Sequence, residues 1–187
     1  MSKFTLIAGP CAIEDDTMPF IIGREVKRIC DALDINFIFK GSYRKANRSR
    51  LDSFTGIGDE LALGILQSVG KELGVQTITD IHESHEADLV AKYVDNIQIP
   101  AFLCRQTELL LAAGRTGKGV NIKKGQFLSP EAMLFPLEKV RSTGNEKVWL
   151  TERGNSFGYT DLIVDATAIT RLKGLGAFTI MDCTHAV

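Results

Sequence analysis

At 187 residues the chain is long enough for one domain with a substantial core, yet short of the roughly 250 residues typical of a (β/α)8 barrel. Its 22 basic and 23 acidic residues leave a net charge of −1, so the overall field neither gathers nor repels polyanions and composition gives no support to a nucleic-acid partner. No uncharged apolar run of about 18 residues is present to span a bilayer, and the N-terminus reads straight into a strand, so a soluble cytoplasmic protein with no membrane partner is expected.

The first β-branched run, 5–11, ends on Cys11. Phe20, Ile21, Val26, Ile29 and Leu33 then recur at helical spacing, and Cys30 on the same stripe reads as a small core residue. The second run ends on Lys40 and is followed by the longest irregular stretch, 41–58. Loops of that length in a compact domain are functional or disordered, and the cationic segment Tyr43-Arg-Lys45-Ala-Asn47-Arg48-Ser49-Arg50 favours function. Leu61, Leu63, Ile65, Leu66, Val69 and Leu73 predict a second helix, broken by Gly74 in the position of a C′ residue. The remaining runs, 75–80, 96–100, 120–123, 148–153 and 178–182, alternate with helical segments expected at 83–93, 105–114, 130–143 and 161–173. The third of these opens on Ser129-Pro130, an N-cap followed by proline at N1.

Strand and helix in alternation impose a parallel sheet with right-handed crossovers. The expected class is therefore α/β, a TIM-type (β/α) barrel with seven strands present and the eighth βα unit missing. No linker or low-complexity tract divides the chain, so residues 1–187 read as a single, incomplete barrel domain. The ending Asp182-Cys-Thr-His185-Ala-Val187 falls on or just past a strand and implies truncation.

Six of the seven runs end on a polar or ionisable residue, 96–100 ending on Pro100 instead, as expected where catalytic groups gather at the C-terminal face of a barrel. Lys40, Lys45, Arg48, Lys123 and Arg153 suit phosphate and carboxylate groups, arginine as a bidentate fork and lysine as a point charge. The plainer alternative pairs each cation with Asp80, Glu152 or Asp182 as a structural ion pair. Cys11 ends the first run, His185 lies just past the seventh, and together they suit a borderline divalent metal, although complete sites usually want three protein ligands. A histidine satisfied beside a buried thiol is the plainer reading of that pair. Asp182 is either a further ligand or a partner that orients His185. His82 and His85 are general-base candidates by type alone, with His85 more simply a surface or capping residue. The turn from Gly154 to Gly158 offers backbone N–H groups to an anion. No C-x-x-C, P-loop or G-x-G-x-x-G pattern occurs.

Six motifs in order carry a family resemblance: Gly9-Pro10-Cys11-Ala-Ile-Glu14, Lys40-Gly-Ser42-Tyr-Arg-Lys45-Ala-Asn47-Arg48-Ser49, Gln98-Ile-Pro100-Ala101-Phe102-Leu-Cys-Arg-Gln106, Val120-Asn-Ile-Lys123-Lys124-Gly-Gln126-Phe, Thr151-Glu152-Arg153-Gly154 and Asp182-Cys-Thr-His185. Together they resemble the 3-deoxy-D-manno-octulosonate-8-phosphate synthases, which condense phosphoenolpyruvate with D-arabinose 5-phosphate and water and release phosphate, on the way to lipopolysaccharide. The resemblance implies catalytic roles for Lys40, Asp80, Lys123, Arg153 and His185. It implies substrate binding by Ser42, Lys45, Asn47, Arg48, Ser49, Gln98, Ala101, Phe102 and Gln126. Lys40, Lys45, Lys123, Gln126 and Arg153 would take phosphoenolpyruvate; Asn47, Arg48 and Ser49 would take arabinose 5-phosphate, the latter two as candidates for reaching a neighbouring subunit of a family tetramer.

Cysteine rather than asparagine at position 11 resembles the metal-dependent members and implies Cys11 and His185 as ligands of a divalent ion, for which zinc, iron, manganese and cobalt are all candidates. Two further family ligands, from the eighth strand and the loop after it, have no counterpart here, so the 187-residue form by itself is expected to be inactive or aggregation-prone. The nearest rival is the 3-deoxy-D-arabino-heptulosonate-7-phosphate synthases, which carry a proline-arginine-threonine-serine loop where this chain has Lys45-Ala-Asn-Arg-Ser49. A remnant that binds phosphoenolpyruvate without turning it over is the non-enzymatic alternative.

Overall fold

The computed structural model describes residues 3–186. In chain order the elements are β1 (Thr5–Ala8), α1 (Met18–Ala32), β2 (Asn36–Lys40), α2 (Asp59–Leu73), β3 (Gln76–Asp80), α3 (Ala87–Val90), β4 (Asn96–Ile99), α4 (Thr107–Arg115), β5 (Gly119–Lys123), α5 (Leu134–Arg141), β6 (Val148–Glu152), β7 (Asn155–Phe157), β8 (Asp161–Ile163), α6 (Thr167–Lys173) and β9 (Phe178–Met181). Two compact units are distinguishable: residues up to Asp80 with Leu89–Asn96, and Ile81–Asp88 with the residues from Ile97 onward. Seven parallel strands and six helices form the α/β class expected of a (β/α) barrel, with no eighth βα unit among the described residues.

In the first unit β1, β2 and β3 lie in chain order, with Thr5 opposite Asn36, Ala8 opposite Phe39 and Lys40 opposite Ile78. The core here is Phe37, Ile38 and Phe39 of β2, Ile78 of β3, and Ala62, Leu63, Ile65, Leu66 and Val69 of α2. Gly74 closes α2 in the left-handed conformation at φ 62°, as its position predicts. Helix α1 departs from its apolar stripe. Ile21, Ile29 and Leu33 are exposed, and the helix buries Pro19, Gly23 and Cys30 instead. Gly23 makes that approach: a Cβ there would lie 2.8 Å from Leu73 and 3.4 Å from Phe39.

In the second unit the barrel strands again follow chain order, β4-β5-β6-β9, with Lys123 opposite Thr151 and Glu152 opposite Met181. Its core is Ile99, Leu110, Val120, Ile122, Leu137, Val140 and Leu150. Three expected helices change form. Residues 83–93 give a 3₁₀ turn, Ser84–Glu86, and only four α-helical residues, because Lys92 and Tyr93 donate to carbonyls three residues back and tighten the segment. The segment 130–143 begins with a 3₁₀ turn, Glu131–Met133, with Ser129 Oγ accepting the Ala132 N–H at 3.3 Å. Residues 161–163 are not helical at all: they pair antiparallel with Asn155–Phe157 across a turn at Gly158, φ 64°. Helix α6 starts only at Thr167, whose N–H is held by Asp165 at 2.8 Å.

Candidate active site

In the first unit the polar groups collect where β1, β2 and β3 end. Gly9 crosses the end of β2 so closely that a Cβ would fall 1.9 Å from the Lys40 carbonyl oxygen; only glycine fits. The chains leaving β1 and β2 then run side by side, joined by the Ala12–Ser42 bridge and the Ile13 N–H to Ser42 carbonyl bond at 3.0 Å. Cys11, one residue before the bridge, is exposed, and Lys40 is half-buried. The following loop is anchored through Ser42 and Tyr43, both buried; the Tyr43 N–H reaches Thr79 Oγ1 at 3.3 Å. Lys45 donates to Ser42 Oγ at 2.9 Å, so two of the expected substrate residues already meet. Asn47, Arg48 and Ser49 are exposed, with Arg48 donating to the Phe54 carbonyl at 3.3 Å. Asp80 ends β3 and is buried.

In the second unit Lys123, Asp182, His185 and Arg153 form one connected set at the ends of β5, β9 and β6. Lys123 pairs with Asp182, so the structural ion pair weighed from sequence is realised at this cation. Asp182 also accepts the N–H groups of Thr184 at 3.1 Å and His185 at 3.0 Å. Burial pushes the Asp182 carboxyl up, but the Lys123 hydrogen bond and charge, with the His185 amide, outweigh it and hold the group well below the usual carboxylate range. The same carboxylate faces His185 Nδ1 at 3.1 Å, the relation of an orienting partner. Arg153 donates to the His185 carbonyl at 2.6 Å. Three of the five expected catalytic residues are thus brought together.

Gln98, buried on β4, accepts from Asn121 at 3.4 Å, and Asn121 accepts from Thr151 at 2.6 Å. This polar ladder across β4, β5 and β6 was not predicted; the only sequence signal is a polar residue inside each apolar run. Ala101 is buried in a 3₁₀ turn and Phe102 is about half exposed. Gln126 is half-buried, and its carbonyl accepts the Ser156 N–H at 3.0 Å. The expected anion-binding turn at 154–158 is corrected by that bond and by a second, from the Gly154 N–H to Glu152 Oε1 at 2.6 Å. Both amides are engaged, and the segment belongs to the β7–β8 hairpin. His82 is half-buried beside Glu86, which accepts its backbone N–H at 2.7 Å, while His85 is exposed. Cys30 and Cys104 are buried thiols, raised by that burial. No group of three or more His, Cys, Asp or Glu side chains suited to a metal occurs among the described residues.

A family model described as the DAHP synthetase I family matches residues 2–187. The chain belongs to the DAHP synthetase I family. Its relatives within known proteins include chains named 2-dehydro-3-deoxyphosphooctonate aldolase from Cyanothece sp., 48% identical over 184 residues, and from Synechococcus sp., 48% identical over 183 residues; each alignment takes in 98% of this chain. A third, from Bartonella henselae, is 48% identical over 186 residues and 100% of this chain. The chain spans about two thirds of the length of these relatives, 67%, 64% and 67% respectively. No helix among the described residues is long and apolar enough to cross a membrane.

Proposed function

We propose that this chain carries the substrate-binding part of an enzyme that condenses phosphoenolpyruvate with D-arabinose 5-phosphate and water to give 3-deoxy-D-manno-octulosonate 8-phosphate and phosphate. The carrying observation is the likeness, at 48% identity over 98% of the chain, to proteins named 2-dehydro-3-deoxyphosphooctonate aldolase. The loop Lys45-Ala-Asn-Arg-Ser49 supports arabinose 5-phosphate over erythrose 4-phosphate as the acceptor.

In this reading Lys40, Lys45, Lys123, Gln126 and Arg153 hold the phosphate and carboxylate of phosphoenolpyruvate. Asn47, Arg48 and Ser49, exposed on their loop, take arabinose 5-phosphate, Asp80 binds the sugar near its hydroxyls, and Gln98, Ala101 and Phe102 contribute to substrate binding. Carbon 3 of phosphoenolpyruvate attacks the aldehyde, water adds at carbon 2, and phosphate leaves by carbon–oxygen cleavage. Fixed cations stabilise the anionic groups throughout, and holding two phosphorylated substrates in register supplies much of the rate.

A divalent metal fits part of this donor set. Asp182 fixes the His185 ring through Nδ1, as it would for a metal ligand, and Cys11 presents an exposed thiol. Cys11 and His185 would hold the ion, with other donors completing its sphere. When bound, it would polarise an oxygen of the acceptor sugar or of water. A cytoplasmic homotetramer is part of the same proposal.

The test is phosphate release from phosphoenolpyruvate with arabinose 5-phosphate beside erythrose 4-phosphate, on this chain and on one extended through an eighth βα unit. Arabinose-dependent release supports the reading. Release only with erythrose 4-phosphate transfers the chain to the heptulosonate activity, and tight phosphoenolpyruvate binding without release in either form supports a non-catalytic binder.

A further inference from the structure

Lys124 is wholly buried, yet it is one residue from Lys123 and follows the end of β5. Its backbone N–H continues the pairing with β6, donating to the Thr151 carbonyl at 2.8 Å. The ammonium then reaches across two loops. From the loop after β5 it takes the carbonyls of Gly125 at 3.5 Å and Leu128 at 3.2 Å. From the segment after β6 it takes the Gly154 carbonyl at 3.4 Å and the Asn155 side-chain oxygen. Glu152, itself buried, stands 3.5 Å away and accepts the Gly154 N–H. Asn155 also donates to the Leu128 carbonyl at 3.4 Å, and Ser156 to the Gln126 carbonyl at 3.0 Å.

We infer that Lys124 is a positioning residue, a buried cationic tie that locks the 125–128 loop to the 153–156 segment and so sets Gln126 and Arg153 for an anionic substrate. The inference deepens the proposed function and rests on it for the identity of that substrate. Lys124 is not itself a ligand or a nucleophile, because an ammonium with no accessible surface and acceptors on both loops offers no path to a substrate. The physical reason for a lysine here is reciprocal. A desolvated ammonium is tolerated only while its acceptors surround it, and those acceptors come from two separate loops. Either loop moving away exposes the other half of the cage to an unpaired charge, so the two move together or not at all.

The tie is tested in the full chain with any resident metal left in place. Lys124→Met leaves Glu152 buried without its cation, so it is paired with Glu152→Gln, which keeps an acceptor for the Gly154 N–H. Asn155→Ala serves as a milder cut that leaves the charge pair whole. Amide hydrogen exchange of 125–128 and 153–156 is expected to accelerate in both variants while α1 and α2 exchange as before. The KM for phosphoenolpyruvate is expected to rise roughly tenfold or more in the double variant, with the KM for arabinose 5-phosphate unchanged. Unchanged exchange in both loops, or both KM values moving together with the loss of folded protein, overturns the inference. A wild-type chain extended through an eighth βα unit that still releases no phosphate with arabinose 5-phosphate rejects the functional reading, and the exchange measurement alone then decides the tie.

Discussion

Lys123 stands between two duties. It neutralises the half-buried Asp182, and the proposed function asks it to meet an anionic substrate as well. Lys123→Met removes both, leaving Asp182 with backbone donors and His185 only. The expected outcome is a fall in kcat/KM for phosphoenolpyruvate of about a hundredfold or more, read by phosphate release, with a stability loss of about 3 kcal/mol from the stranded carboxylate, read by denaturant unfolding. A pH effect belongs to a different residue. Arg171 donates to both oxygens of Glu131 at 2.6 and 2.7 Å, and that hydrogen bond lowers the carboxyl from its ordinary value to about 2. A lowered folded-state value means that the unfolded chain takes up protons first. The contribution is therefore fully present above about pH 4.5, shrinks below it, and is gone once pH falls through about 2. The melting temperatures of wild type and Glu131→Gln, measured from pH 7 down to pH 2, are expected to converge over that window. Both groups are exposed, so the separation at neutral pH is small and shrinks further in salt.

At the scale of elements, the site is made by how strand ends approach one another. Gly9 is the clearest instance, because the clash a side chain would meet is with backbone and no rotamer can relieve it. Gly9→Ala is expected to push β1 and the end of β2 apart, costing about 3 kcal/mol and displacing Lys40 at the same time. Thermal unfolding checks the first effect and phosphoenolpyruvate titration the second. A substitution that lowered stability while leaving affinity untouched would separate Lys40 from the site. The β7–β8 hairpin acts similarly on the other unit. Its first strand carries Asn155 and Ser156, whose bonds to Leu128 and Gln126 hold the loop after β5.

For the whole molecule, the proposed metal donors are Cys11, an exposed thiol, and His185, oriented by Asp182. If a divalent ion is held as proposed, a strong chelator is expected to abolish arabinose-dependent phosphate release and added divalent ion to restore it. Cys11→Ala is expected to lower bound metal, measured by elemental analysis, while the far-ultraviolet dichroism stays unchanged. Full turnover by metal-free protein would reject the ion. The near-neutral net charge leaves substrate capture to these local cations rather than to a long-range field.

The sequence by itself determined the alternation of strands and helices, because each β-branched run and each helical stripe reports its own segment. It also determined the cations at strand ends and the Gly74 stop. It misread 161–163 as helix, since a short strand is stabilised by its partner, here Asn155–Phe157, and no property of Asp161-Leu-Ile163 alone announces that pairing. It placed Ile21, Ile29 and Leu33 on a stripe that the docking of α1 through Gly23 leaves exposed. Lys123 and Lys124 are identical letters side by side, and the tertiary structure supplies the physical difference between them. Successive residues at a strand end point to opposite sides, so one lysine meets Asp182 and the other is enclosed by two loops that the chain brings together only after folding.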